Sequence, residues 1–257
     1  MKLKSMCALV AILGSAFLTS AKENPWSYNY SAGARSFPLG AGAGGSMAYN
    51  RLLYGKNSDD NIIYGYLRPV IGIGSSGVVN KGSLKLELSP ISPLVFSTSS
   101  QQIGSYTALE TIDCQQTDCY HRLQKQVSSV ALVFGVLPWF GKIEKTVEEQ
   151  SSSATNTFAD PDSNLVGGSG GKDSLQGTEI TTGLVLNYQW TAGLQWSWAK
   201  FKNSNAANSI QSIFAQKTSG QRSLISGFGF YESSHTEKKP FAFIFLQWSF
   251  GKSLGLM

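Results

Sequence analysis

The chain has 257 residues and only two histidines, so imidazole chemistry can run only through His121 or His235. His235 lies in Ser233-Ser234-His235-Thr236-Glu237, with hydroxyls and a carboxylate close by. Those are the parts of a nucleophile–base pair. In an extended chain, however, neighbours point to opposite faces, so the grouping reads as a solvated turn. His121 follows Cys114 and Cys119 in Asp113-Cys-Gln-Gln-Thr-Asp-Cys-Tyr120. Two cysteines and one histidine fall short of a four-ligand zinc set, and no metal or cofactor is expected. In an exported chain, two close cysteines in polar surroundings predict a small disulfide loop, with free thiols as the alternative.

The remaining chemistry is charge. The formal net charge is +5, too mild for a nucleic-acid partner. Charged residues make up 14% of the chain, against about 25% in ordinary soluble domains. Lys2 and Lys4, an apolar run from Met6 to Leu18 and the small residues Thr19-Ser20-Ala21 form a secretory leader over 1–21. Beyond it no stretch approaches the roughly 20 apolar residues of a spanning helix. A helical membrane protein and a coiled coil are both excluded.

The elements that must position these groups alternate with period two. Trp26, Tyr28, Tyr30, Ala32 and Ala34 share one face of 26–34; Leu84, Leu86 and Leu88 do so in 83–88; Leu194, Trp196 and Trp198 do so in 192–198. Alternation over about ten residues, broken by polar turns, is the pattern of a transmembrane barrel. Soluble strands average about five or six residues. The final strand carries Ala242, Ile244, Leu246, Trp248 and Phe250 on one face. This resembles the terminal assembly signal of bacterial outer-membrane proteins, an alternating last strand ending in an aromatic residue. Here the seven residues 251–257 follow the aromatic, whereas in that family it usually closes the chain.

The resemblance implies an even strand number, short periplasmic turns, long external loops and both termini in the periplasm. Eleven segments are evident, and a twelfth over 102–112 restores parity. The expected fold is an all-β, antiparallel, up-and-down barrel of twelve strands spanning 22–250, with ten as the alternative. Residues 113–121 and 150–177 become external loops and 251–257 a periplasmic tail. Trp26, Trp139, Trp190 and Trp248 then fall at one membrane interface, as an aromatic girdle. Ser-rich and Gly-rich 150–177 reads as a flexible loop. The glycines of 40–45 lack the strand–helix context and lysine of a phosphate-binding loop.

Opposite the apolar face lie Arg68, Lys85, Glu87, Lys142, Glu144 and Glu179, three bases and three acids. A mixed lumen suits a weakly selective pore or a salt-bridged interior. The expectation is therefore a passive pore for small solutes, not an enzyme. It would be exported by a Sec-type route, inserted by the barrel-assembly machinery and surrounded by outer-membrane lipid. The alternatives are a surface-exposed structural or adhesion barrel, a lipid hydrolase and a soluble periplasmic barrel. Outer-membrane phospholipases and lipid A deacylases carry serine two residues after histidine; here that position is Glu237.

Overall fold

The computed structural model describes residues 25–55, 63–106, 112–154, 157–168 and 170–251. The leader and the 252–257 tail lie outside them.

Among the described residues every regular element is a strand. In chain order these are β1 (Trp26–Ser36), β2 (Leu39–Tyr49), β3 (Arg51–Tyr54), β4 (Gly65–Ser75) and β5 (Val79–Ile91). Next come β6 (Leu94–Ser105), β7 (Arg122–Val136), β8 (Trp139–Ser152), β9 (Ala159–Asp160) and β10 (Leu165–Val166). The last five are β11 (Lys172–Val185), β12 (Trp190–Phe201), β13 (Ala207–Ser219), β14 (Arg222–Ser233) and β15 (Thr236–Phe250). Setting aside the short β3, β9 and β10, twelve antiparallel strands pair in sequence order. β1 closes on β15, with Tyr28 opposite Phe250 and Arg35 opposite Phe243. β2 pairs β4 from Ala43↔Ser75 to Ala48↔Val70, which leaves the barrel without a free edge.

The register assigns every side chain to a face. Outward positions hold Ile73, Leu84, Leu132, Leu194, Phe228 and Ile244, all exposed. Inward positions hold Ser89, Ser99, Glu87, Lys125 and Gln150, all buried. This inverts the soluble arrangement: the apolar residues form a band around the outside, as lipid requires. Leu194, Trp196 and Trp198, which a soluble barrel would use as core, lie on the exterior.

Both ends of the described chain lie at one rim, here called proximal. Its turns 92–93, 137–138, 186–189 and 220–221 are short, while the connection from β2 to β4, 50–64, is longer and holds β3. The distal rim carries the long connections 106–121 and 153–171.

Two boundaries differ from expectation. The strand expected over 102–112 is replaced by β6, which begins earlier and pairs with β5 across a turn at Ser92-Pro93. Proline has no N–H for a ladder, and here its carbonyl accepts the Val133 N–H at 2.7 Å. Of 102–112, only Gln102 to Ser105 is strand; 107–111 lies outside the described residues and Ile112 is buried in the mouth. The 150–177 connection is likewise shorter, because β8 runs to Ser152 and β11 begins at Lys172.

Candidate functional site

The charged wall of the lumen comes directly from register. Arg68 on β4 stands opposite Glu87 on β5, and Glu144 on β8 opposite Glu179 on β11. Arg68 ion-pairs with Glu87, whose other oxygen lies 2.7 Å from Lys85 Nζ. Lys142 Nζ lies 2.9 Å from Glu144 Oε2 and 2.9 Å from Glu179 Oε1. All six sequence-selected residues therefore face the lumen, as two triads. The β4–β5 triad holds one acid between two bases, and the β8–β11 triad one base between two acids. Cross-strand like charges repel, and Lys142 relieves the Glu144–Glu179 pair. Between the triads, β6 and β7 offer no charge at this level, only hydroxyls such as Ser97 and Ser129, 2.9 Å apart, and the apolar Ala131 and Val133 opposite Glu144 and Lys142.

The opposite wall is aromatic and glycine-rich. Phe241, Phe243 and Phe245 project inward from β15, with ring centroids 5.9 and 5.8 Å apart. A methyl added to Gly33 would overlap the Phe245 ring, and one at Gly193 would come within 2.7 Å of Phe214 Cζ. These strands supply aromatic rings where their neighbours lack side chains. On β2 the inward positions Gly40, Gly42 and Gly44 put nothing larger than hydrogen into the lumen.

The distal mouth holds a structure that sequence reasoning missed. Residues 157–168 fold inward as the β9–β10 hairpin, contrary to the reading of 150–177 as a flexible loop. Phe158 and Leu165 are completely buried against inward Ile103, Leu123, Leu175 and Phe201. Lys125, inward on β7, places Nζ 2.7 Å from Asp160, 3.2 Å from Asp162 and 3.4 Å from Glu148. Lys81 reaches Asp162 from β5 at 2.9 Å. Gln150 Nε2 and Ser163 Oγ also donate to Asp160, at 2.9 and 2.8 Å. On the far side Asn208 Nδ2 donates to the Ser163 carbonyl at 2.5 Å, and Asn164 Nδ2 to Tyr231 Oη at 3.4 Å. The inward carboxylate of Asp173 accepts the N–H groups of Gly168, Asn203 and Ser204, tying hairpin to rim. Period two could have found Lys125 and Asp173, which share the inward parity of Leu123 and Leu175. The loop acids Asp160 and Asp162 carry no local signal.

Cys114 and Cys119 form a disulfide, and its loop packs on the hairpin: Ile112, Cys119 and Ala159 are buried together. The Asp118 N–H donates to the Thr157 carbonyl, and the Ala159 N–H to the Asp118 carbonyl, both at 3.0 Å. His121 is buried with its ring 6.0 Å from Phe158, and neither ring nitrogen has a described hydrogen-bond partner. Burial pushes its pKa down, with Asp118 partly opposing. Burial alone would raise the Asp162 carboxyl, but Lys125 and Lys81 outweigh it and hold the pKa well below the ordinary value. His235 lies exposed in the β14–β15 turn, where its backbone N–H donates to Ser233 Oγ at 3.2 Å. It borders a hollow of about 610 Å³ in the mouth with Phe37, Ile112, Asp113, Glu237 and Lys239.

Trp26, Trp139 and Trp190 begin β1, β8 and β12, and Trp248 lies two residues before the end of β15. All four sit on the outside at the proximal rim. Ile244, Leu246, Trp248 and Phe250 occupy one outward row of β15, paired with β1 at Ala34, Ala32, Tyr30 and Tyr28.

No family model and no curated protein matches the chain. Several solved barrels are similar in shape at very low identity. The beta domain of the Bordetella autotransporter BrkA is 9% identical, with 90% of this chain and 100% of that one covered and a TM-score of 0.48. The NanC porin is 7% identical, with 88% and 100% covered and a TM-score of 0.48. The COG4313 outer membrane channel of Pseudomonas putida F1 is 9% identical, with 91% and 98% covered and a TM-score of 0.48.

Proposed function

We propose that this chain is an outer-membrane barrel acting as a narrow passive pore for small polar solutes, its proximal rim in the periplasm and its capped rim outside. In this reading residues 1–21 direct Sec-type export, the terminal strand engages the barrel-assembly machinery, and His235 has no catalytic part. The carrying observation is the lumen wall. Two triads of opposite net charge flank a space that stays open to solvent beneath the cap: inward-facing Phe245 keeps 41% of its surface exposed, and the Lys85 side chain 40%. A plugged interior would bury both. The cap is bonded to β5, β7, β8, β11, β13 and β14, whereas the inward positions in the distal half of β2 are Gly40, Gly42 and Gly44. The residual passage therefore follows the β15–β1–β2 wall, past the phenylalanine ladder. Charges that cancel across the lumen give weak ion selectivity. Purified protein in planar bilayers should give small, discrete conductance steps. A barrel that shows heat-dependent mobility in detergent yet stays silent would refute the pore.

A further inference from the structure

Most charge in the lumen is already matched. Among the described residues the inward cations Arg68, Lys81, Lys85, Lys125 and Lys142 are each ion-paired with a carboxylate. Two inward cations are not. Arg35 on β1 and Lys239 on β15 form no ion pair with a described side chain, and both belong to the wall that the cap leaves uncovered.

Arg35 stands directly opposite Phe243. Its Nε donates to the Pro38 carbonyl at 2.9 Å, and its side chain passes beside Gly40, which has none of its own. That bond fixes the stem and leaves the two terminal nitrogens of the guanidinium fork. Asp162 of the cap lies near Arg35 without pairing with it. Lys239, opposite Tyr231, places Nζ 4.8 Å from the centroid of the Phe37 ring and borders the mouth hollow with His235 and Glu237. Four residues separate Lys239 from Phe243, about 13 Å of strand, so the two cations are successive stations along the wall and not one pocket.

Beside Arg35 runs the phenylalanine ladder. The Phe245 ring covers Gly33, where a Cβ would overlap it, and the Phe243 ring covers Gly227, where a Cβ would come within 2.7 Å of Cζ. Each ring therefore rests one face on a bare stretch of wall and turns the other to the passage. Phe243 is the direct cross-strand neighbour of Arg35, about 5 Å away, and Phe245 the diagonal one, about 7–8 Å away. A carboxylate joined to a six-membered ring spans that spacing.

We propose that the passage is selective for small aromatic carboxylates. The carboxylate pairs with the Arg35 fork, the ring stacks on Phe243 and Phe245, and Lys239 draws the anion into the mouth. The cations of the two triads do not compete, because each already holds a carboxylate of the wall. A neutral sugar is the poorer occupant: its hydroxyls need polar side chains beside the rings, and Gly33, Gly40 and Gly42 supply none. The inference rests on the pore reading above and names its substrate class.

Folded barrel in planar bilayers tests this, each probe being read as interruption of the KCl current. Phenylacetate should interrupt it at a concentration at least about tenfold lower than acetate, which lacks the ring, benzyl alcohol, which lacks the charge, or maltotriose. Arg35→Gln should bring phenylacetate to the level of benzyl alcohol. F243L/F245L, which keeps an apolar wall and removes the rings, should bring it toward acetate. Stepwise KCl conductance in both variants shows that they fold, and the comparison of probes on the unaltered chain stands without them. Acetate, benzyl alcohol or maltotriose as effective as phenylacetate, or a folded variant with the preference intact, would overturn the inference. A folded barrel that passes no KCl current would instead end the pore reading, and the selectivity with it.

Discussion

Lys125→Met should open the mouth. Lys125 and Asp160 are both essentially without solvent contact, and the lysine also faces Asp162 and Glu148. Removing one member of a buried pair costs about 3–5 kcal/mol, because the other is left charged and dry. Asp160 keeps Gln150, Ser163 and the Asp162 N–H, so the lower end of that range applies. Three kcal/mol shifts the docked–undocked equilibrium of the cap about 100-fold. The ladders of the twelve strands do not depend on this lysine, so the barrel persists. Single-channel recordings should show a larger conductance with long-lived open states, and amide exchange over 158–167 should accelerate. Adding Asp160→Asn should restore much of the small conductance, since the neutral amide leaves no buried charge and its oxygen still accepts from Gln150 and Ser163. Glu148 and Asp162 retain solvent contact and tolerate the loss. Unchanged conductance together with unchanged exchange in Lys125→Met would refute the argument that this ion cluster holds the cap.

Three further outcomes are expected. Glu87→Gln removes the one negative charge of the Arg68–Glu87–Lys85 triad and should move the reversal potential under a salt gradient toward anion selectivity; Lys142→Gln removes the positive charge between Glu144 and Glu179 and should move it toward cations. Cap stability should fall with pH in two phases. The His121 pKa is lowered in the folded state, so its neutral form contributes fully above about 6.5 and that contribution fades as pH drops below. The Asp162 pKa is lowered too, so its contribution holds above about 4 and is lost below. His121→Phe should abolish only the first phase in exchange measurements. Cys114→Ser with Cys119→Ser releases a loop closed over a sequence separation of 5. By loop entropy that destabilises the cap by about 2 kcal/mol, visible as faster proteolysis near 112–120 with unchanged barrel melting.

How much of this was legible in the sequence follows from the range of the forces. Alternation is local, so the twelve strands, the outward Trp26, Trp139, Trp190 and Trp248 and the inward charges could be read from neighbours two apart. The turn at Ser92-Pro93 was missed because apolar residues continue on both sides of it, Leu88 and Ile91 before and Leu94, Val95 and Phe96 after, although proline marks the break. The cap could not be read at all. Its hold on the wall joins residues such as Lys125 and Asp160, 35 apart in the chain, or Asn164 and Tyr231, 67 apart. A Ser- and Gly-rich composition says only that a segment is pliable, not what it will settle against.

The cap's partners also fix when it can form. Lys81, Lys125 and Gln150 precede it in the chain, whereas Asn208 and Tyr231 follow it. A chain delivered from its N-terminus therefore carries 153–171 while half of that segment's seat does not yet exist. The seat is complete only once β13 and β14, which carry Asn208 and Tyr231, are in place. The contacts that anchor the cap's far side therefore wait on strands that are made after the cap itself.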